Sequence, residues 1–303
     1  MAACCWSLFM LELRGLGFRY PDTEHPALDG INLRLEAGQC LGLLGSNGAG
    51  KTTLLSLIAG LRQPQQGEIR WQGERSIGLV PQQPAFHAGL SVKENLQLFA
   101  DLYRLRGTER SNRLQRCIHD THLESLLGTR AARLSGGQQR RLNFAIGLLQ
   151  PAALYLFDEA TVGVDIHSRE LLLGAVQGLT ADGCAVIYTS HYLEEIERLA
   201  QRIVLLAEGQ VRLDLDKRQL LGDDHGLLLE WPTAPPSGLD ALLAELQLEC
   251  LATARGCRIE RIDAPQLARL CQFIASQPQL PDLLRFGRPS LEQLYLHFSG
   301  GAL

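Results

Sequence analysis

The chain has 303 residues, 46% of them apolar and 20% charged, with 29 Lys and Arg against 33 Asp and Glu. That is enough material for one large or two modest globular domains with ordinary cores. A net charge of −4 supplies no surplus of cations to neutralise phosphates, so no nucleic-acid partner is expected.

The longest apolar stretches, such as Ala153 to Phe157 and Ile203 to Ala207, are broken far short of the roughly 20 residues that span a bilayer. The chain is therefore expected to be unable to cross a membrane alone. Residues 1–9, MAACCWSLF, are apolar but lack a basic leader and room for a cleavage site, and read as an N-terminal extension. Met10 is an alternative start of translation.

From Met10 onward, short alternating segments separated by turn residues, including FRYPDTEHPALDGINLRLEAGQ, predict an antiparallel β-layer. The runs CLGLLG at 40–45, LYLFD at 154–158 and AVIYTS at 185–190 are continuously apolar, and helical segments alternate with them. That pattern predicts an α/β fold, a mostly parallel sheet with helices on its faces. Between about 84 and 150 the texture becomes helical. Its start is the capping box Ser91-x-x-Glu94, and one helix face is expected to carry Val92, Leu96, Phe99, Leu102 and Tyr103. After RIVLLAEGQVRLD, the Pro-rich stretch from Trp231 to Pro236 marks a change of texture, and the remainder reads as a small α+β unit. The expected organisation is an extension over 1–9, a main domain over 10–222 and an accessory domain over 223–303.

Eight cysteines stand at positions 4, 5, 40, 117, 184, 250, 257 and 271, with no Cys-x-x-Cys pair among them. Reduced, buried thiols in a cytosolic protein are expected rather than disulfides or a zinc site.

The segment Gly45-Ser46-Asn47-Gly48-Ala49-Gly50-Lys51-Thr52-Thr53 follows the strand CLGLL and opens the apolar-periodic run LLSLIAGL. This is the strand, G-x-x-x-x-G-K-[ST], helix context of a phosphate-binding P-loop (Walker A). Glycines let backbone N–H groups converge on a β-phosphate, the helix N-terminus adds its positive dipole end, and Lys51 reaches the β/γ oxygens. Thr52 is then a magnesium ligand. A second magnesium carboxylate is expected at the end of a neighbouring buried strand, and LYLFDE supplies Asp158 with Glu159 beside it. Asp158 is read as holding the metal shell and Glu159 as polarising the water that attacks the γ-phosphate. His191, after AVIYTS, is a candidate third contact to the γ-phosphate; a histidine at such a place is by itself more often a capping or surface residue.

Between these motifs lies Leu134-Ser135-Gly136-Gly137-Gln138, in front of the helical run QRRLNFAIGLL. Ser135 and two glycines at a helix start make a second anion site within one chain. With this segment the sequence resembles the ATP-binding cassette (ABC) ATPases, from about Leu11 to Leu221. The resemblance implies two cassettes, as a homodimer or a paired cassette, closing head-to-tail around two ATP. In that arrangement Ser135, Gly136, Gly137, Gln138 and Asp165 meet the nucleotide across the dimer. It also implies adenine stacking on Tyr20, a glutamine reaching toward magnesium and water at Gln82 (with Gln83 as the alternative), catalysis by Glu159, and a switch role for His191. Ser46, Ala160 and Val164 depart from the family's usual proline, proline and leucine. The lost proline at 160 leaves the loop to Asp165 less restricted in φ.

The resemblance further implies a separate membrane permease as partner and a peripheral position on the cytoplasmic face of a bacterial inner membrane. Near Gln82 the residues Phe86, Leu90, Phe99 and Tyr103 offer either a docking face for the permease or core packing. The tail from Gly287 to Gly300, with Ser190-His191-Tyr192-Leu193-Glu194-Glu195-Ile196-Glu197, is similar to the corresponding segments of type 2 ABC transporter subunits, mostly exporters. An importer subunit, a soluble ABC ATPase acting elsewhere and a regulator without hydrolysis are the other readings.

Overall fold

A computed structural model describes residues 9–21, 23–73, 75–217, 226–252, 255–259, 261–287 and 291. The chain divides into two compact units, Met1–Lys217 and Arg218–Leu303.

In the first unit, β1 (Phe9–Phe18) and β2 (Leu28–Glu36) pair antiparallel, and β4 (Gln66–Trp71) pairs antiparallel with the other edge of β1. The alternation read from the sequence is visible in β2, where Leu28, Ile31, Leu33 and Leu35 are buried and polar residues between them face outward. β1 begins at Phe9, so the strand takes in the last residue of the expected extension.

The main sheet contains β3 (Cys40–Leu44), β5 (Ile77–Val80), β6 (Leu154–Asp158), β7 (Ala185–Thr189), β8 (Arg202–Ala207) and β9 (Gln210–Asp216), in the order β5-β6-β7-β3-β8-β9. All neighbours run parallel except β9, which returns antiparallel along β8. Every residue of β3, β6 and β7 is buried, because helices cover both faces of a parallel sheet; that is why these strands read as unbroken apolar runs.

The helices of this unit are α1 (Lys51–Ala59), α2 (Val92–Leu102), α3 (Gly107–Asp120), α4 (Gly136–Leu149), α5 (Ile166–Ala181) and α6 (Leu193–Leu199). α6 lies so close to β3 that a Cβ on Gly42 would fall 2.4 Å from Ile196 Cγ2. The ring of Phe144 on α4 stacks on Phe157 of β6 with centroids 5.0 Å apart. α2 starts at the expected capping box, Ser91 with Glu94. Its apolar face differs from the expectation in one residue, since Leu102 is exposed. At 100° per residue Leu102 sits about 80° round the helix from Val92, whereas Leu96, Phe99 and Tyr103 lie within about 40° of it.

The second unit is a four-stranded antiparallel sheet of order β11-β12-β10-β13, formed by β10 (Gly226–Glu230), β11 (Cys250–Ala252), β12 (Gly256–Ile259) and β13 (Leu283–Gly287). With it go α7 (Leu239–Glu245) and α8 (Ala264–Ala275). Trp231, Leu227, Leu229, Ile259 and Leu270 build its core. The internal strand β10 precedes the Pro-rich stretch 231–236, so that stretch is a connection inside this unit. Residues 288–290 and 292–303, which carry most of the tail segment singled out in the sequence, lie outside the described residues.

Cys40, Cys117 and Cys257 are buried and Cys184 and Cys250 partly so, but Cys271 is exposed, on the solvent side of α8 whose Leu270 and Ile274 face the core. Cys4 and Cys5 lie outside the described residues. Among the described residues no helix is long and apolar enough to cross a membrane.

Candidate functional site

The sheet order places β6, β7 and β3 side by side, so the segments that leave their C-terminal ends converge at one edge. That edge is where open parallel sheets hold ligands. Gly45 follows β3, Asp158 ends β6, and Thr189 ends β7 opposite Asp158 in register.

The P-loop turns tightly because its glycines allow it. Gly50 has φ +105°, and a Cβ there would lie 2.5 Å from the Ala27 carbonyl oxygen. Gly50 is also the N-cap of α1 and brings no side chain to cap it, which leaves the first-turn N–H groups directed at an incoming anion. Lys51, 5% exposed, donates from Nζ to the carbonyls of Gly45 at 2.7 Å and Ser46 at 3.1 Å. Burial pushes its pKa down, while the carboxylates of Glu159 and Asp158 push the other way. Thr52 is exposed.

Thr189 holds both acids. Its hydroxyl donates to Asp158 Oδ1 at 3.0 Å, and the Glu159 N–H points at Thr189 Oγ1 at 3.0 Å and at the Thr189 carbonyl at 3.2 Å. Glu159 itself has φ +50°, a left-handed conformation that costs a non-glycine residue on the order of 1–3 kcal/mol and persists only where neighbours enforce it. The turn brings its carboxylate between two side chains from other segments. Gln82 Nε2 donates to Oε2 at 2.8 Å, and His191 Nε2 lies 2.8 Å from Oε1. Of the two adjacent glutamines, Gln82 is the one that meets Glu159.

A cleft of about 730 Å³ is lined by Tyr20, His25, Pro26, the P-loop from Asn47 to Thr53, Gln82 and Glu159, whereas Gly45, Ser46, Asp158 and His191 do not line it. The Tyr20 hydroxyl is 3.2 Å from Thr53 Oγ1. One face of the Tyr20 ring carries the Arg62 guanidinium, 4.8 Å from the centroid, and Phe18 meets the ring edge to face.

The Ser135 to Gln138 segment and Asp165 do not line this cleft. Ser135 is the N-cap of α4, its hydroxyl accepting from the Gln138 N–H at 3.3 Å while Gln138 Oε1 accepts from the Ser135 N–H at 3.0 Å. Gly137 lies beside Asp165, with 3.6 Å between its Cβ position and Asp165 Oδ2. Asp165 caps α5 by accepting the Ser168 N–H, and that bond holds its carboxyl below the usual range.

For magnesium the oxygen donors available are the Thr52 hydroxyl, the Asp158 carboxylate and the amide oxygen of Gln82, whose Nε2 is already used on Glu159. They are hard ligands, one of them charged and 3% exposed, and no group of three or more His, Cys, Asp or Glu suited to a metal occurs among the described residues. One carboxylate, one amide oxygen and a hydroxyl fit an ion that takes the rest of its shell from phosphates and water.

Sequence reasoning missed Thr189, Arg62 and two residues of α4, Arg140 and Asn143. Thr189 was within reach, because a polar residue closing a buried parallel strand beside another strand's terminal Asp invites a hydrogen bond. The others are visible only once the loops are placed.

Comparison with known proteins accords with this geometry. The family model described as ABC transporter matches residues 28–162. The Nod factor export ATP-binding protein I of Paraburkholderia xenovorans (strain LB400) is 30% identical over 295 residues, covering 91% of this chain and 93% of the relative. The chain belongs to the ABC transporter ATP-binding family.

The linearmycin resistance ATP-binding protein LnrL of Bacillus subtilis (strain 168) is 31% identical to this ABC ATPase over 301 residues, covering 90% and 94% of the two chains. Among solved structures, the ATP-binding cassette MJ0796, a dimer in a post-hydrolysis state bound to ADP and Pi, superposes with a TM-score of 0.63 at 27% identity, over 68% of this chain and 98% of that one. An ATP-binding subunit of an ABC transporter superposes with a TM-score of 0.64 at 27% identity, over 70% and 91%. This chain is thus an ATP-binding ABC subunit with the cassette fold and ATPase chemistry of that family.

Proposed function

We propose that this ABC ATPase powers export of a substrate through a separate membrane permease, working as a head-to-tail dimer on the cytoplasmic face of the membrane. The observation that carries the export reading is that relatives matching over about nine-tenths of both chains are named for Nod factor export and linearmycin resistance. An importer subunit is the alternative within the same family, because the cassette itself does not encode direction.

In this reading the backbone of Gly45 to Thr53 cradles the ATP phosphates, and Lys51 exchanges its two carbonyl acceptors for β/γ-phosphate oxygens. Tyr20 stacks the adenine at the edge of the cleft it lines. Thr52, Gln82 and Asp158 would hold magnesium, which would supply charge neutralisation at the phosphates. Glu159 orients and polarises the attacking water, while His191, bonded to the same carboxylate, reaches the γ-phosphate. The signature residues Ser135 to Gln138 and the loop carrying Asp165, which lie off the cleft of their own chain, complete the partner's site. A site split between two chains couples closure to ATP and reopening to hydrolysis.

The experiment is capture of tagged Glu159→Gln protein with ATP from gently solubilised membranes of the native cell. Co-purification of a multi-span protein supports the transporter reading, and ATP-dependent efflux by the reconstituted pair supports export. Capture of ribosomal or DNA-associated proteins with no membrane partner overturns it.

A further inference from the structure

Asn143 sits in the buried stretch of α4, 1% exposed, followed and preceded by the buried apolar residues Phe144 and Leu142. A primary amide at such a place is costly unless its donors and acceptor are used. Both of its ends are used on a single loop. Nδ2 donates to the Pro81 carbonyl at 3.0 Å, and Oδ1 accepts the Ala85 N–H at 2.8 Å, so the amide brackets Gln82 from both sides.

One turn earlier, on the same face of α4, Arg140 donates to the carbonyl of Gln82 itself. One turn later, Gly147 brings the helix onto β5, where a Cβ would lie 2.4 Å from Val80 Cγ2 and 2.9 Å from the Leu79 carbonyl oxygen. The loop leaving β5 is therefore bonded to α4 through three of its backbone groups, and it meets Glu159 through the Gln82 side chain.

We propose that Asn143, assisted by Arg140, is a positioning residue that fastens the 81–85 loop to α4, so that the helix carrying Ser135 at its N-terminus sets where Gln82 stands relative to Glu159. The inference rests on the roles given above to Gln82 and Glu159.

The test uses the full chain with MgATP and two variants, Asn143→Leu, which removes both bonds at comparable volume, and Arg140→Ala, on a partly exposed side chain. Steady-state ATP hydrolysis is read together with amide hydrogen exchange over residues 82–88, α4, β6 and β7. The expected result for Asn143→Leu is a kcat lower by about 10-fold or more, within the roughly 10²-fold that ångström-scale misplacement costs, with KM unchanged. Exchange is expected to rise in 82–88 alone. Arg140→Ala moves the same readouts the same way, and settles the matter if Asn143→Leu does not fold.

Unchanged kcat and unchanged exchange in 82–88, or a uniform loss of protection across β6 and β7, overturns the clasp. Failure of the underlying site assignment is read separately: Glu159→Gln would then retain turnover, whereas selective exposure of 82–88 in Asn143→Leu would still establish the fastening.

Discussion

Gln82 Nε2 lies 2.8 Å from Glu159 Oε2, although 77 residues separate them in the chain. The same carboxylate is 2.8 Å from His191 Nε2, so one side chain joins three segments that depart from different strands. A group bridged in this way is poised to orient a water once a nucleotide enters, and its removal gives the most direct test of the chemistry.

Glu159→Gln keeps the shape and removes the carboxylate proposed as the base. Hydrolysis is expected to slow by about 10²-fold, the low end for loss of a general base, while ATP binding persists and a dimer accumulates. Phosphate release and size-exclusion chromatography with ATP measure the two effects, and near-normal turnover would rule out the assignment.

Ser135→Arg places a bulky cation at the N-cap of α4, away from the cleft of its own chain. Turnover is expected to vanish and monomer ATP affinity to remain, measured by fluorescent-nucleotide titration. Loss of binding to the monomer would mean that Ser135 serves its own chain's site.

Thr189→Val strips the hydroxyl that donates to Asp158 and accepts from Glu159 N–H. A buried acceptor left without its donor costs about 1–3 kcal/mol, so the urea midpoint should fall with the m-value unchanged. The Mg²⁺ requirement of hydrolysis should also rise as Asp158 loses its orientation; a variant identical to wild type in both respects contradicts the role given to Thr189.

Gly42→Ala inserts a methyl 2.4 Å from Ile196, where β3 and α6 touch. Overpacking of this kind costs about 1–3 kcal/mol, and calorimetry should show a lower Tm. An unchanged Tm would show that α6 gives way without cost.

Burial pushes the Cys40, Cys117 and Cys257 thiols up to about 12. At pH 8 their thiolate fraction is on the order of 10⁻⁴, and thiolate is the reacting form. Native protein treated with a thiol reagent should be modified at exposed Cys271 and spared at these three, as mapped by peptide mass spectrometry. Equal labelling at Cys40 would contradict its burial.

Much of the fold was legible because burial on both faces writes itself into composition: CLGLL, LYLFD and AVIYT could be nothing but internal strands in an alternating chain. The capping box at Ser91 and the alternation in β2 were equally local. Leu102 departs from the apolar face of α2 because it stands about 80° round the helix from Val92.

What the sequence by itself determined is the chemistry contained in contiguous stretches. A P-loop, a strand ending in Asp158 and Glu159, and the Ser135 to Gln138 segment each declare their residue types within about ten positions, since backbone geometry over that distance follows from local φ, ψ and hydrogen bonding. The tertiary structure alone decided which of these groups meet. The order β6-β7-β3 sets Thr189 against Asp158 across 31 residues, and the packing of α4 on β5 brings Asn143 to a loop about 60 residues away. Contacts of that separation depend on strand order and helix docking, which arise from burying apolar surface across the whole unit and leave no signature at the residues that finally touch.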